Sequence, residues 1–482
     1  MKILFVASEL YPLIKTGGLA DVAGSLPKAL RELDKDVRVL LPGYLDVKDR
    51  LPETRVAAEL EVLNQPVRLL GCRIPGSEIP LWLLDAPQWF DRPGNPYLAP
   101  DGNPWPDNDE RFAALCWAGV KIALDQAGLD WQPDVVHGND WQTGLIPALL
   151  SLESPRPATV FTIHNLAYQG IFPASSVEKL QIPRTLWHPE GLEFHHQLSF
   201  IKGGIVYADR VNTVSPTYAR EIQTPRFGCG LEGVLKTRGD RLSGILNGID
   251  TDKWNPATDP LLPQTYGPDS LEGKGVNKRA LQAHFGLPQE DIVPLIAFIG
   301  RLVSQKGVDL ILKALSGLLE LPLQFVFLGS GDSDYEHGLL YWSRRHPDKV
   351  AVHVGYDEAL SHRIEAGADM FLMPSRFEPC GLNQMYSQRY GTVPIVHRTG
   401  GLADTVEDAL PDRLAQATGI SFDHTETGAL QEVIKRGWLL YSHPDIWRSL
   451  QRNGMRKDFS WRRSAMDYCQ LYLKAIADKK QA

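Results

Sequence analysis

The sequence lacks most features that mark disulfide-rich, membrane or nucleic-acid-binding proteins. Its five cysteines are scattered and form no C-x-x-C pair, which argues against a disulfide framework or a zinc site and favours a reducing compartment. No run approaches the roughly 18 apolar residues that a membrane-spanning helix needs. The net charge of −8 excludes a global basic field for nucleic acid. An anionic substrate would therefore need locally placed Lys or Arg side chains.

The length and composition indicate a cytoplasmic globular protein with two domains. Hydrophobic residues make up 43% and charged residues 22%, as in ordinary globular chains. A single core stops growing at about 250–300 residues, so 482 residues predict two domains. The apolar run at residues 3–7 is too short for a signal peptide and predicts a first β-strand.

Strands and helices alternate in both halves of the chain. KILFVAS, a glycine-containing loop, an apolar helical stripe and DVRVLLPGY form a βαβ pattern, and similar units follow it. A proline-rich stretch without periodicity, residues 251–275, separates these units from a second series that starts at VPLIAFIGR. We predict an α/β fold with domains 1–250 and 251–456, and a terminal helix in 457–482 that returns to the first domain. The two doubly wound Rossmann-like domains should face each other across a deep cleft, with ligands at the carboxyl ends of the strands.

The loop KTGGL lies between the first predicted strand and the first predicted helix. Its glycines allow close backbone approach, and the helix N-terminus offers free N–H groups and partial positive charge. Lys15 adds a full charge beside Gly18, so phosphate is the natural guest, and Asp21 follows in the first helical turn. The alternative is a glycine turn with a solvent-facing lysine, and so short a motif does not decide between them.

Two cations share the loop GRLVSQKG in the second half of the chain. Arg301 and Lys306 follow the strand VPLIAFIG and precede a helix. A guanidinium and an ammonium in that position suit a diphosphate leaving group. The alternative is a surface loop with two salt bridges, but the acidic balance of the chain favours function.

The segment SRFEPCGL follows another predicted strand. There, Glu378 can bind sugar hydroxyls or stabilise a developing oxocarbenium ion, unless it is only an acid at a helix N-terminus. Gly381 lets the backbone approach a ligand. Cys380 is interpreted as a small buried residue, because no partnering base is near.

Polar residues also end two strands of the first half, in HGND and TIHN. Asp140 and Asn165 are candidates for binding sugar hydroxyls, whereas His164 stays open between a structural and a catalytic role. The pair His195 and His196 lacks a carboxylate to complete a site, so we predict no metal. No cofactor is predicted, because the fragment GSGD lacks the third glycine of a dinucleotide fingerprint.

Together these segments resemble the bacterial glycogen synthases and plant starch synthases over nearly the whole chain. KTGGLADV, DWQTGL, TIHNLAYQG, NGID, GRLVSQKG, SRFEPCGL and YGTVPIVHRTGGLADTV occur in the family's order. The resemblance implies the GT-B fold and retaining transfer of glucose from ADP-glucose to the non-reducing end of an α-1,4-glucan, with release of ADP and without a metal.

The resemblance also implies a role for each candidate. Arg301 and Lys306 would stabilise the departing ADP and would form the catalytic set with Glu378 and His164. The residues implied to contact the donor or its glucose are Lys15, Gly18, Asp21, Asp140, Asn165, Asn247, Tyr356, Cys380, Gly381 and Leu382. Tyr356 would stack on adenine.

Three positions depart from the family's pattern. The family often has His where this chain has Gln142, and His-Ala-His-Asp where it has HGND. It usually has Thr at the position of Asn383. All three changes conserve hydrogen-bonding capacity.

Other functions fit parts of the sequence. Another GT-B glycosyltransferase with a different nucleotide sugar, such as a sucrose- or trehalose-type synthase, or a sugar-nucleotide epimerase, would have the same fold, but KTGGL together with FEPCGL argues against it. Glucan phosphorylase would need a pyridoxal-phosphate lysine and a much longer chain. A non-catalytic glucan-binding protein would not need the cations at 301 and 306.

Overall fold

The computed structural model describes residues 1–51 and 53–480, which form two compact units. Unit 1 contains residues 1–248 and the segment from Trp461 onward, and unit 2 contains Ile249–Ser460. The divisions therefore fall at 248/249 and 460/461, beside the sequence expectations of 250/251 and 456/457.

Unit 1 is built on a nine-stranded sheet and a small three-stranded sheet. Its strands are β1 (Lys2–Val6), β2 (Asp36–Pro42), β3 (Arg55–Val62), β4 (Gln65–Arg73), β5 (Pro80–Asp85), β6 (Val135–Asn139), β7 (Ala158–Ile163), β8 (Ile171–Pro173), β9 (Glu193–Phe194), β10 (Gln197–Ser199), β11 (Arg210–Thr213) and β12 (Leu242–Gly244). The large sheet has the order β12-β11-β7-β6-β1-β2-β5-β4-β3, and the small one β8-β10-β9. In the large sheet, neighbouring strands are parallel except for the pairs β3 with β4 and β4 with β5. The sequence analysis did not predict this antiparallel edge or the small sheet.

The described part of unit 1 also contains helices. They are α1 (Gly18–Glu32), α2 (Leu45–Asp49), α3 (Pro87–Phe90), α4 (Asn108–Ala123), α5 (Leu145–Leu150), α6 (Ser176–Lys179), α7 (Phe200–Tyr207), α8 (Pro216–Glu221), α9 (Glu232–Thr237) and the terminal helix (Trp461–Lys479). Short 3₁₀ turns lie at Trp141–Thr143, Arg184–Leu186 and Gly239–Arg241.

The terminal helix packs on the parallel part of this sheet. Its buried residues recur every three or four positions, as expected for one helical face. The hydroxyl of Tyr472 lies 2.9 Å from His137 Nδ1, and Asn212 Nδ2 donates to the hydroxyl of Tyr468 at 3.1 Å. Buried polar groups of β6 and β11 therefore find their partners on the last helix of the chain.

Unit 2 contains a six-stranded parallel sheet between helices. Its strands are β13 (Leu295–Ile299), β14 (Gln324–Gly329), β15 (Val350–Val354), β16 (Met370–Met373), β17 (Val393–His397) and β18 (Ile420–Phe422), in the order β15-β14-β13-β16-β17-β18. Its helices are α10 (Glu272–His284), α11 (Val308–Leu318), α12 (Ser333–Arg345), α13 (Glu358–Gly367), α14 (Asn383–Arg389), α15 (Gly400–Thr405), α16 (Thr427–Tyr441) and α17 (Pro444–Met455), with a 3₁₀ turn at Ser304–Lys306. Among the described helices, none is long and apolar enough to cross a membrane.

The order of the strands brings the candidate residues of each unit to one sheet edge. In unit 1, the neighbouring strands β7, β6 and β1 lead into the loops that carry His164, Asp140 and Lys15. In unit 2, the neighbouring strands β13 and β16 lead into the loops that carry Lys306 and Glu378. The carboxyl ends of adjacent parallel strands are where open α/β sheets bind ligands.

Candidate active site

Asp140 follows β6 directly and fixes the loop after β7. Its φ of 57° is a left-handed conformation that is uncommon outside glycine. Its Oδ1 accepts hydrogen bonds from the backbone N–H groups of His164 at 2.7 Å and Asn165 at 3.3 Å. Burial raises the pKa of Asp140 to about 7, although the two backbone donors act in the opposite direction. This carboxyl group therefore changes charge near neutral pH.

His164 is buried and held by one side-chain partner. Its Nε2 lies 3.0 Å from Asn139 Oδ1, and Asn139 Nδ2 donates to the Val6 carbonyl at 3.0 Å. Burial lowers the pKa of His164 to about 3, so the ring is neutral at pH 7. Because the amide oxygen requires a donor, Nε2 carries the proton and Nδ1 is left as the acceptor.

The KTGG loop (residues 15–18) leads from β1 into α1. Lys15 Nζ lies 2.7 Å from Asp21 Oδ1, and both side chains are partly exposed. A Cβ added at Gly17 or Gly18 would meet nothing within 4 Å. The lysine is thus paired with the first turn of α1, and the glycines border open space that a ligand can enter.

Glu9 contacts this loop, and the sequence analysis did not single it out. Its side chain is buried, and Oε2 accepts hydrogen bonds from the N–H groups of Thr16 at 2.5 Å and Gly17 at 3.1 Å. Oε1 accepts from Thr16 Oγ1 at 2.6 Å. Glu9 therefore anchors the loop through two backbone N–H groups and one hydroxyl group.

Lys306 and Glu378 form an ion pair in unit 2. The Lys306 ammonium lies 2.5 Å from Glu378 Oε2, and Ser375 Oγ donates to the same oxygen at 3.0 Å. The side chains are 20% and 9% exposed, so a ligand can reach the pair from solvent. Because α14 begins only at Asn383, Glu378 is held by these side chains and not as a first-turn acid of a helix.

Arg301 lies in the same loop as Lys306 and is exposed. Its Nη2 lies 3.4 Å from Gln305 Oε1, and Gln305 Nε2 donates to the Phe377 carbonyl at 3.2 Å. Within residues 1–51 and 53–480, no ion pair of Arg301 is found. In the described part of the chain, the two cations of this loop therefore form one salt bridge, at Lys306. The alternative of a surface loop with two salt bridges required one at each cation.

Glycines shape the loop that follows Glu378. Gly381 has a φ of 71°, and Cys380 is buried, as predicted for a small packed residue. The N–H of Gly401 donates to the Glu378 carbonyl at 3.1 Å, and a Cβ there would stand 2.1 Å from the Cys380 carbonyl oxygen. Leu382, half-buried, precedes α14. The start of α15 thus supports the main chain that carries the glutamate.

Asn247 and Tyr356 are the remaining candidates from the sequence. Asn247 is buried, and its Oδ1 has no hydrogen-bond partner among the described residues. Tyr356 follows β15 and is 76% exposed, so its ring can stack on a planar ligand.

The structure contains no recognisable metal centre in the part of the chain that it describes. No group of three or more His, Cys, Asp or Glu side chains there is arranged to hold an ion. His195 and His196 both have left-handed φ angles and form the turn of a hairpin.

Two family models match the chain, one in each unit. The model for the starch synthase catalytic domain matches residues 2–237, and the model for glycosyl transferases group 1 matches residues 282–443. Glycogen synthase 1 of Methylococcus capsulatus is 59% identical over 479 residues, which cover 99% of this chain and 97% of that relative. The chain belongs to the glycogen and starch synthase family.

Further members of this family agree in sequence and in structure. The glycogen synthase of Thioalkalivibrio sulfidiphilus is 54% identical over 98% of this chain and 99% of its own length. The catalytic domain of Arabidopsis thaliana starch synthase IV, solved with ADP and acarbose, has a TM-score of 0.87 at 34% identity and covers 98% of this chain and 99% of that one. The predicted GT-B fold and glycosyltransferase class are confirmed, and the family implies a nucleotide-sugar donor and a glucan acceptor.

The departures from the glycogen synthase pattern have structural contexts. At Gly138, a Cβ would stand 2.8 Å from Thr143 Oγ1, so this chain leaves little room for the alanine of other members. Asn383 Nδ2 donates to the Ile299 carbonyl at 2.9 Å and ties α14 to β13. Gln142 is buried, and its Oε1 lacks a partner among the described residues.

The sequence of this chain contains one signal for the contact between Gly401 and the Glu378 loop, which the sequence analysis missed. The hexapeptide TGGLAD occurs twice, at residues 16–21 and 399–404, each time after a cation and at the start of a helix. The second copy supplies Gly401, which supports the Glu378 loop. An internal comparison of the two halves would have marked that loop as part of the site.

Proposed function

We propose that this protein transfers glucose from ADP-glucose to the non-reducing end of an α-1,4-glucan with net retention, releasing ADP. The observation that carries the proposal is the Lys306–Glu378 pair beside Arg301 at the carboxyl edge of the unit 2 sheet. A leaving diphosphate gains negative charge, and cations fixed at that position stabilise it.

The residues of unit 1 are proposed to bind the transferred glucose. Asp140, when ionised, offers oxygens to sugar hydroxyls, and Asn165 and Asn247 offer amides. The neutral His164 presents Nδ1 as an acceptor for a hydroxyl proton. Lys15 exchanges Asp21 for a donor phosphate, since both side chains are partly exposed.

Retention is proposed to arise by a front-face step without a covalent enzyme intermediate. The bond between glucose C1 and the diphosphate oxygen breaks while the acceptor O4 bonds to C1 from the same face. The acceptor's proton passes to the departing diphosphate, whose charge Arg301 and Lys306 neutralise. Glu378 holds Lys306 in place before the donor arrives.

The choice of ADP-glucose rests on two supports. The related starch synthase IV was solved with ADP. In this chain, the exposed ring of Tyr356 is a suitable stacking partner for adenine. We also propose the cytoplasm as the location, since the five cysteines, all in the described part of the chain, form no disulfide bond.

One assay tests the proposal. ADP release from ADP-glucose should require glycogen, and the product should contain new α-1,4 linkages by NMR. UDP-glucose at equal concentration is the matched donor control and should be used more slowly. Glycogen binding without turnover of any nucleotide sugar would favour a non-catalytic glucan-binding protein. Faster turnover of UDP-glucose would favour a different donor.

A further inference from the structure

The carboxylate of Glu9 has a fourth donor besides the three in the KTGG loop. The Tyr97 hydroxyl lies 2.6 Å from Oε1 and 2.8 Å from Ser8 Oγ. Burial is the main cause that raises the pKa of Tyr97 well above its usual range, with Glu9 adding to it, so the hydroxyl keeps its proton and donates it to the carboxylate. Both Glu9 oxygens are therefore occupied by two donors each.

Tyr97 is itself fixed by a buried arginine. Arg111, 1% exposed, donates from Nη1 to the Pro96 carbonyl at 2.7 Å and to Asn108 Oδ1 at 2.7 Å. Asn108 Nδ2 donates to the Tyr97 carbonyl at 3.0 Å. A rigid chain of contacts thus runs from α4 through Tyr97 and Glu9 to the KTGG loop.

The second TGGLAD segment is held in a different way from the first. In unit 2, the glycine pair rests on its own main chain, with a Cβ at Gly400 or Gly401 standing about 2 Å from a carbonyl oxygen, at 1.9 and 2.1 Å. In unit 1, a Cβ added at Gly17 or Gly18 would meet nothing within 4 Å. Glu9 and Tyr97 therefore do for the first copy what backbone packing does for the second.

We propose that Glu9 and Tyr97 are positioning residues that hold the KTGG loop in its donor-binding conformation. Glu9 binds the N–H groups of Thr16 and Gly17 and the Thr16 hydroxyl, and Tyr97 holds Glu9, so that Lys15 and the N–H groups at the start of α1 stay directed to the donor's phosphates. This inference rests on the proposed function for the identity of the donor, but not for the anchoring of the loop.

Three substitutions grade the effect. Glu9→Ala leaves the N–H groups of Thr16 and Gly17 without their acceptor and should weaken ADP binding at least about tenfold. Glu9→Gln should cost less, about two- to fivefold, because its oxygen can face the N–H donors while its amide group faces the two hydroxyls. Tyr97→Phe, which removes one donor, should fall between the wild type and Glu9→Ala.

Tyr44→Phe is the matched control. The Tyr44 ring is buried, and its hydroxyl donates to the Ser8 carbonyl at 3.0 Å, one residue before Glu9. It should lower the melting temperature about as much as Tyr97→Phe and leave ADP affinity and kcat within about twofold of the wild type.

The experiment combines amide hydrogen exchange with ADP titration on the full chain. Exchange at Thr16 and Gly17 should accelerate in Glu9→Ala and Tyr97→Phe but not in Tyr44→Phe, and ADP affinity should fall in the same two variants. Unchanged exchange overturns the anchoring role whatever the protein catalyses. Faster exchange with unchanged ADP affinity and donor KM overturns the link to the donor. A wild type that binds no nucleotide and turns over no nucleotide sugar refutes the proposed function instead, and the exchange data still decide the anchoring.

Discussion

The two units hold their candidate residues in opposite ways. In unit 2 the residues hold one another, since Lys306 pairs with Glu378 and the second TGGLAD copy packs against the glutamate's main chain. In unit 1 they are held by groups outside the candidate set or by the main chain. Asp140 accepts from backbone N–H groups, the KTGG loop is bound by Glu9, and a Cβ at Gly17 or Gly18 would meet nothing within 4 Å.

We therefore expect charge to have its main effect in unit 2 and burial to have its main effect in unit 1. A diphosphate that binds in unit 2 must compete with Glu378 for Lys306, so charge removal should be most damaging there. In unit 1, burial is the main cause that shifts the pKa values of Asp140 and His164. Unit 2 should therefore govern transition-state stabilisation, and unit 1 the pH dependence.

The largest expected effect is the loss of a unit 2 cation. Lys306→Ala and Arg301→Ala should each lower kcat by about 10²–10³, because one charge stabiliser of the transition state is missing. Glycogen affinity should stay near that of the wild type. Steady-state kinetics with glycogen-binding assays measure both quantities. Lys313→Ala is the control, because that lysine is 67% exposed and lies one helical turn from Asp309. Near-normal turnover in either test variant would refute the diphosphate assignment.

Glu378→Gln should fold normally and lower kcat by about 10–10². The amide keeps the size of the side chain, but it removes the charge that orients Lys306 and leaves that ammonium without its partner. An acid that only interacted with a helix dipole would lose about 0.3–1 kcal/mol of stability and no activity. Melting temperature and turnover, measured on one preparation, separate the two. A lower melting temperature with unchanged kcat contradicts the catalytic role.

The pH dependence should come from unit 1. The pKa of folded Asp140 is about 7, above the usual value of about 4, so folding favours its protonated form. Its contribution to stability is full below about pH 4 and is lost as the pH rises to about 7, and the carboxylate that binds sugar forms as the pH passes through about 7. We expect kcat/KM to fall about tenfold per unit below pH 7, and Asp140→Asn to be less active without this slope. A wild-type profile that stays flat from pH 5 to 8 would transfer the pH dependence away from Asp140.

The smallest effect tests the two glycine pairs directly. Gly401→Ala places a Cβ 2.1 Å from the Cys380 carbonyl oxygen, so it should destabilise the protein by about 1–3 kcal/mol and lower its melting temperature. Gly18→Ala meets nothing within 4 Å and should leave the melting temperature unchanged while weakening ADP binding a few-fold. Calorimetry and ADP titration on both variants measure this. An equal loss of stability in both variants would contradict the difference in packing between Gly401 and Gly18.

The sequence predicted the fold where local pattern and global structure agree. Buried parallel strands such as β13 and β14 are continuous apolar runs, so their alternation with helices was readable. Residues 55–73 form the antiparallel pair β3 and β4, whose exposed and charged positions obscure the strand pattern. Edge strands that face solvent carry a weaker periodic signal.

The sequence could place a candidate where a polar residue follows a strand. Asp140 comes directly after β6, and Glu378 lies in the loop after β16. Their roles stay predictions. Contacts between distant segments were not predictable, because no local pattern marks that Tyr97 lies against Glu9, 88 positions away, or that Lys306 pairs with a glutamate 72 positions later. Burial is likewise a property of the folded chain, so the pKa values of Asp140 and His164 had no signal in the sequence.

The terminal helix sets an order of events during synthesis. Because the hydroxyls of Tyr468 and Tyr472 complete the polar contacts of Asn212 and His137, the first unit to emerge from the ribosome is the last to be finished. Unit 2 is a continuous segment and can fold as it emerges. At about 5–20 residues per second, its translation occupies on the order of 10–40 s. Throughout that time unit 1 lacks the helix that covers this part of its sheet, and the side chains of His137 and Asn212 lack their tyrosine partners.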